Sequence, residues 1–95
     1  MKYNLPINYT KLHWTERKEV REQYIKEQNN KCYYCNEDLN NQPPKRITDK
    51  KINWNLFPPN FLKYSVHLQH NHTSGMTEGA VHSYCNAVLW QYEGK

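Results

Sequence analysis

Two closely spaced pairs of potential metal ligands lie far apart along the chain. Cys32 and Cys35 form a Cys-x2-Cys pair, and His82 and Cys85 form a His-x2-Cys pair. Either spacing lets two side chains reach one ion from a single turn, and zinc prefers four such ligands in a tetrahedron. We therefore predict a structural zinc that ties the first pair to the last part of the chain. The alternative is buried free cysteines beside an unrelated histidine.

Length and composition indicate one small domain that needs such a staple. The chain has 95 residues, of which 37% are hydrophobic, and small domains with little apolar surface to bury often depend on a metal or disulfides. Three cysteines, an odd number, argue against a closed disulfide framework. No apolar run is long enough for a signal peptide or a membrane span. We expect an intracellular protein that has no membrane partner and binds zinc through reduced thiols.

The N-terminal part predicts an extended arm of weak order over residues 1–14, followed by a single domain over residues 15–95. A helix is expected from Thr15 to about Gln28, with Thr15 as its cap. Asn29 and Asn30 are a plausible stop, because asparagine tolerates the left-handed conformation that follows many helices. The basic residues of this helix are balanced by glutamates, which favours a solvated face.

The C-terminal third predicts two strands and a helix, giving an α+β fold. Polar and apolar residues alternate from Tyr64 to His70, which is strand periodicity. Ser74-Gly75 marks a turn, and Thr77–His82 can return as a second strand. Ser83–Glu93 is then expected to form a helix, with Ser83 as a candidate cap and Gly94 as the stop.

The central segment, residues 36–63, is expected to be irregular because its paired prolines exclude long helices. Trp54 and Phe57 are interpreted as aromatics that cover the small core. The basic side chains interleaved with them either contact a nucleic-acid backbone or simply stay hydrated; they are Lys45, Arg46, Lys50 and Lys51. The net charge of +4 is compatible with an anionic partner.

A histidine and an asparagine are expected to face each other near the zinc. His70 shares a strand face with Val66 and Leu68, and we expect that face to pack on the last helix, in whose first turn Asn86 lies. By the same alternation His67 should point away. A histidine of near-neutral pKa can deprotonate water, and an asparagine carbonyl can hold a hard cation that stabilises charge on a phosphate. The arrangement suits phosphodiester hydrolysis.

These motifs together resemble the HNH, or ββα-metal (His-Me finger), nucleases, most closely the phage recombination endonuclease VII branch. That branch pairs Cys-x2-Cys with a later Cys-x2-Cys-Asn and carries Asp-His-x-His before a Gly-rich turn. The matching residues here are Cys32 and Cys35, Gln69-His70-Asn71-His72, and Gly79 before His82-Ser-Tyr-Cys85-Asn86. The resemblance covers roughly residues 16–40 and 64–94. It implies a DNA endonuclease of phage type, with His70 as general base and Asn86 holding catalytic Mg²⁺ or Mn²⁺.

The departures from the family pattern concern the catalytic metal. The aspartate that binds metal in the family is Gln69 here, which either offers a carbonyl oxygen or leaves the metal, so we expect weaker metal affinity before DNA binds. The arginine that usually precedes the glycine is Glu78. His72 either contacts the scissile phosphate or is a loop histidine bonded to backbone. The helical region with which some family members dimerise is missing, which favours a monomer. The rival hypothesis is a zinc-knuckle module that binds nucleic acid without cutting it.

Overall fold

The computed structural model describes residues 3–94, and its elements are three helices and one two-stranded antiparallel sheet. Along the chain they are α1 (Trp14–Glu27), α2 (Lys45–Thr48), β1 (Val66–His70), β2 (Thr77–His82) and α3 (Ser83–Glu93). Single 3₁₀ turns occupy Tyr9–Lys11 and Trp54–Leu56. This confirms the small α+β class predicted from the sequence.

The long helix α1 begins one residue earlier than predicted because His13, not Thr15, caps it. The backbone N–H of Thr15 donates to Nδ1 of His13 at 3.4 Å, and the carboxylate of Glu16 accepts from the backbone N–H of His13 at 2.9 Å. This reciprocal pair is a capping box with a ring nitrogen in place of the usual hydroxyl. The helix ends where expected, and Asn29 and Asn30 both adopt positive φ, 54° and 63°.

The hairpin and the last helix follow the predicted order with two local differences. Val66 pairs with His82 and His70 with Thr77, so β1 starts two residues later than expected, and a bulge interrupts the register between Gln69 and His70. Helix α3 follows β2 directly, its N-cap is His82 rather than Ser83, and it ends at Gly94 with φ of 70°. The bulge adds a residue to β2 opposite the end of β1.

The core lies between α1, the hairpin and α3. Val20 and Tyr24 of α1 are buried against the sheet, and the hydroxyl of Tyr24 hydrogen-bonds to Thr77 at 2.8 Å. Val81 and Val88 are fully buried on the hairpin and α3. Burial of these apolar side chains supplies the non-directional part of the stabilising free energy.

The segment from Tyr3 to His13, most of the predicted arm, is bonded to the rest of the fold; Met1 and Lys2 lie outside the described residues. Ile7 and Thr77 exchange hydrogen bonds, since the Thr77 N–H donates to the carbonyl of Ile7 at 2.9 Å and the Ile7 N–H donates to the Thr77 hydroxyl. The N–H of Tyr9 donates to the carbonyl of Gly75 at 2.8 Å. These bonds place Tyr9 beside the turn that joins the two strands.

The segment between Cys35 and β1 contains the short helix α2 and one 3₁₀ turn. Its aromatic residues pack on α3: Trp54 meets Tyr84 edge-on with ring centroids 5.7 Å apart, and Phe57 meets Trp90 at 5.6 Å. Trp54 and Phe57 therefore pack on the outer side of α3 rather than on the core that they were expected to cover. No helix within residues 3–94 combines the length and the apolar character that a bilayer crossing needs.

Gly79 marks the place where α1 and the knuckle approach β2 most closely. A Cβ atom at this position would lie 2.8 Å from Cγ of Tyr33 and 2.8 Å from Oε1 of Gln28. The approach is held by the N–H of Tyr33, which donates to the carbonyl of Ala80 at 2.9 Å, and by Gln28, which bonds both backbone groups of Ala80. A side chain at residue 79 would therefore push the knuckle away from the sheet.

We expect Gly79→Ala to destabilise the fold by about 1–3 kcal/mol, the usual cost of forcing atoms into a filled space. For a domain of this size each kcal/mol lowers the melting temperature by roughly 4–8 °C. Thermal unfolding followed by circular dichroism measures the shift, with Thr73→Ala at the exposed turn as the control. If Gly79→Ala melted like the unaltered protein, Tyr33 would not pack against this glycine.

Candidate metal centre and active-site cavity

The four residues predicted to bind zinc lie together in the structure. Their ligand atoms all lie within 4.8 Å of one another, and all four side chains are buried. Nδ1 of His82 is 3.4 Å from Sγ of Cys35 and 3.6 Å from Sγ of Cys85. In a tetrahedron with Zn–S of about 2.3 Å and Zn–N of about 2.0 Å, the sulfur–nitrogen edge is about 3.5 Å. The group of Cys32, Cys35, His82 and Cys85 could therefore hold zinc.

The knuckle between Cys32 and Cys35 is a tight turn built by backbone bonds. The N–H of Cys35 points at Sγ of Cys32 at 3.5 Å, and the N–H of Asn36 donates to the carbonyl of Cys32 at 3.0 Å. Asn36 then takes a positive φ of 65°, which turns the chain away from the ion site. Arg46 donates from Nη2 to the carbonyl of Cys35 at 3.0 Å.

The loop after the knuckle fixes the orientation of the His82 ring. Nε2 of His82 lies 3.0 Å from the carbonyl of Asp38 and 2.9 Å from that of Asn41. Carbonyl oxygens only accept, so the ring proton is on Nε2 and the lone pair of Nδ1 faces the sulfurs. Metal-binding histidines usually donate their second N–H in this way.

The three cysteine thiols differ in pKa. The thiol of Cys85 donates a hydrogen bond to Cys32, which lowers the pKa of Cys32 to about 4 and raises the pKa of Cys85. Burial raises the pKa of Cys35. Cys32 is thus the sulfur that most readily presents a thiolate, the form that binds zinc.

A cavity of about 500 Å³ opens between α1, β1 and the first turn of α3. Its lining includes the aromatic residues Phe57, Phe61 and Trp90. It also includes nitrogen-bearing polar side chains from α1, β1, the following turn and α3: Arg17, Arg21, His67, Gln69, His70, His72 and Asn86. Among the described residues that line it, none is acidic.

Asn86 contacts His67 rather than His70. Its Nδ2 lies 3.0 Å from Nδ1 of His67, so the expectation that His67 points away from the last helix is wrong. The reason is the register: α3 starts where β2 ends, and His82 pairs with Val66, so the first turn of α3 lies beside the start of β1. His70 is three residues further on, about 10 Å along the strand. No hydrogen bond within residues 3–94 joins His70 to Asn86.

His70 instead belongs to a stack of rings and charges. Its imidazole lies parallel to the ring of Tyr9, with centroids 3.9 Å apart and planes 5° apart. The guanidinium of Arg17 covers the same tyrosine at 4.0 Å, and the ring of His72 lies 4.6 Å from that of His70. Burial lowers the pKa of His70, as do the positive charges of His72 and Arg17. A neutral imidazole with a lone pair is the form that accepts a proton from water.

Gln69, the candidate metal ligand, is almost fully buried, with 2% of its surface exposed. Its Nε2 donates to the carbonyl of His70 at 3.1 Å and to the carboxylate of Glu78 at 3.4 Å. The two positions at which the sequence departs from the family pattern are therefore neighbours across the hairpin. His72 is exposed on the turn, beside the cavity.

Three polar residues of this cavity, Tyr9, Arg17 and Arg21, were not among the predicted site residues. Arg17 and Arg21 lie one helical turn apart and line the cavity, but their spacing is equally typical of a solvated helix face. Tyr9 gave no signal, because nothing in residues 1–14 indicates pairing with the hairpin. Of the four predicted nucleic-acid contacts, Arg46 is bonded to the knuckle, and Lys45, Lys50 and Lys51 are exposed around α2.

Comparison of the chain with protein-family models, with curated proteins and with solved structures gives no match. The fold and the cavity are therefore the basis for assigning a function.

Proposed function

We propose that this protein is a metal-dependent DNA endonuclease of the ββα-metal, or HNH, type, acting inside the cell. The single observation that carries the proposal is the cavity, which brings a half-buried histidine of lowered pKa, an asparagine amide and two arginines to one place. The strand–strand–helix order, and the buried Cys₃His group at the junction of β2 and α3, also support the ββα-metal fold.

In this proposal His70 is the general base. It removes a proton from a water molecule, whose oxygen attacks the phosphorus while the bond to the 3′-oxygen breaks. Stacking on Tyr9 fixes the plane of the imidazole, so the lone pair has one direction in the cavity. The ring of His72 lies 4.6 Å from that of His70, and in this proposal His72 contacts the scissile phosphate.

Asn86 holds the divalent cation in this proposal, and Gln69 lies on the adjoining strand. When bound, such a cation stabilises the charge that develops on the phosphate and on the leaving oxygen. Arg17 and Arg21 add fixed positive charge on the α1 side, where the substrate phosphate would enter. The volume of about 500 Å³ lies within the range of small-ligand sites, roughly 300–1,000 Å³.

The second candidate is a nucleic-acid-binding module that does not cut. The observation that favours it is Gln69, which lacks the charge of a carboxylate ligand and is engaged with Glu78. The exposed lysines near α2 are compatible with both candidate functions, because both require contact with a nucleic-acid backbone. Both candidates use the zinc, so zinc content does not separate them.

We expect the zinc-loaded protein to convert supercoiled plasmid to the nicked circle in the presence of Mg²⁺ or Mn²⁺, and not with EDTA. Asn86→Ala should keep the thermal transition and lose the cutting. Agarose gels measure the conversion, and salt-dependent binding to the same DNA is followed in parallel. Binding without cutting in either metal would establish the module instead of the nuclease.

A further inference from the structure

We propose that His67 is a protein ligand of the cation held by Asn86, and that this pair selects cations that accept nitrogen, such as Mn²⁺, Co²⁺, Ni²⁺ or Zn²⁺, over Mg²⁺. The cation-binding role of Asn86 rests on the proposed function. The role of His67 rests on its contact with Asn86 and on the surroundings of its ring.

The distance between the two side chains fits two neighbouring ligands of one ion. Nδ1 of His67 and the amide of Asn86 are 3.0 Å apart. In an octahedron with metal–ligand bonds of about 2.1 Å, adjacent ligands are about 3.0 Å apart. Turning the amide by 180° exchanges Nδ2 for Oδ1 at the same point, and these atoms are distinguished only by their partners. An ion about 2.1 Å from both atoms lies about 45° off the line that joins them, so both side chains would rotate to bring their lone pairs onto it.

The surroundings of the His67 ring fix which nitrogen carries its lone pair. Nδ2 of Asn86 donates to Nδ1 of His67 at 3.0 Å. An N–H donates only to an unprotonated ring nitrogen, so the ring proton is on Nε2. The ring of Phe61 packs edge-on at 4.8 Å and closes the other side. A histidine held this way presents a lone pair from Nδ1, as metal-binding histidines do.

The chemistry of the cavity favours a nitrogen ligand. The described residues that line it include no carboxylate, and Gln69, two residues along β1 from His67, is neutral. Mg²⁺ depends on carboxylate and phosphate oxygens and dehydrates reluctantly. Imidazole suits later transition metals, whose affinity rises along the series from Mn²⁺ to Cu²⁺. In this proposal the imidazole nitrogen of His67 takes the place of the carboxylate oxygen that the family aspartate would supply.

The test is Mn²⁺ binding to the zinc-loaded protein, measured by electron paramagnetic resonance without DNA and with a DNA oligonucleotide. We expect one Mn²⁺ per chain and a ¹⁴N coupling from a directly bound imidazole. His67→Phe keeps the ring against Phe61 but removes the nitrogen, so it should lose the coupling and weaken Mn²⁺ binding at least tenfold. His67→Ala should do the same, and His72→Ala, in the same cavity, should do neither.

Three outcomes overturn the proposal: no bound Mn²⁺ at millimolar concentration with or without the oligonucleotide, bound Mn²⁺ without ¹⁴N coupling, or a coupling that survives in His67→Phe. The plasmid assay keeps this failure separate from failure of the nuclease proposal. If the protein cut DNA but its bound Mn²⁺ showed no nitrogen ligand, the nuclease proposal would stand and the proposal that His67 binds the metal would fail. Mn²⁺ bound through His67 without cutting would retain the metal site alone.

Discussion

Cys35→Ala is expected to leave the chain without a cooperative thermal transition. A structural zinc contributes about 10–16 kcal/mol of apparent free energy in small zinc domains, whereas a whole domain is stable by only about 5–15 kcal/mol. The Cys₃His group joins the knuckle to the junction of β2 and α3. With one of the four ligands removed, metal binding contributes less free energy to holding these two parts together. The apolar core alone is too small to replace it.

The segment between the knuckle and β1 makes the loss larger. It is held near the group by the ring of His82, which donates to the carbonyl groups of Asp38 and Asn41, and by Arg46, which donates to the carbonyl of Cys35. When the ion leaves, the ring and the knuckle lose their fixed positions, and these bonds are lost with them. We therefore expect unfolding of the whole domain rather than local opening.

Calorimetry and circular dichroism measure the transition, and metal analysis gives the zinc content. Asn36→Gly is the matched control in the same turn, because residue 36 has a positive φ that glycine adopts readily; it should retain zinc and melt cooperatively. A strong chelator should unfold the original protein, and added Zn²⁺ should restore it. If Cys35→Ala melted with the same cooperative transition as the unaltered protein, zinc binding would not be what stabilises the fold.

The zinc group was predictable from sequence because the spacing of its ligands is a local property. Cys32 and Cys35 must share one turn, and so must His82 and Cys85, wherever the rest of the chain lies. The hairpin and α3 were also predictable, since alternation and a glycine stop are encoded by neighbouring residues. The bonds from His82 to the loop at residues 38–41 were not, because they depend on how a segment without periodicity closes.

The position of His67 shows what alternation alone leaves open. The alternation of polar and apolar residues assigns each residue of β1 to one of its two faces. Which of those residues lies beside Asn86 depends on the point at which the chain passes from β2 into α3. The direct passage from β2 into α3 puts that helix beside the Val66 end of the strand. Pairing of the N-terminal segment with the hairpin brings Tyr9 onto His70 by contacts between residues far apart in sequence.

The departures at residues 69 and 78 are better understood together. The family pattern has an aspartate and an arginine there, and this chain has glutamine and glutamate, whose side chains meet at 3.4 Å. In this chain the carboxylate of the pair is on β2, and β1 carries the neutral amide.

His70→Ala is expected to lower the rate of DNA cutting by about 10²–10⁴, the usual contribution of a general base. The melting temperature and zinc content should change little, because the ring is only half-buried at the edge of the hairpin. Single-turnover cleavage of a labelled duplex measures the rate. His72→Ala is the matched comparison and should affect binding of the duplex more than the cutting step. If His72→Ala alone stopped the cutting, the base would be His72.

The support of His70 by Tyr9 gives a second check on the same residue. Tyr9→Phe keeps the parallel stack and should cut at nearly the original rate, whereas Tyr9→Ala removes the ring and should lower the rate less than His70→Ala does. Burial lowers the pKa of His70, so the neutral base persists below its ordinary value of about 6.5. As the pH falls through that lowered pKa the imidazole becomes protonated, and the cutting rate should fall with it. If the residual cutting by His70→Ala fell over the same pH range, the group that titrates would not be His70, and His70 would not be the general base.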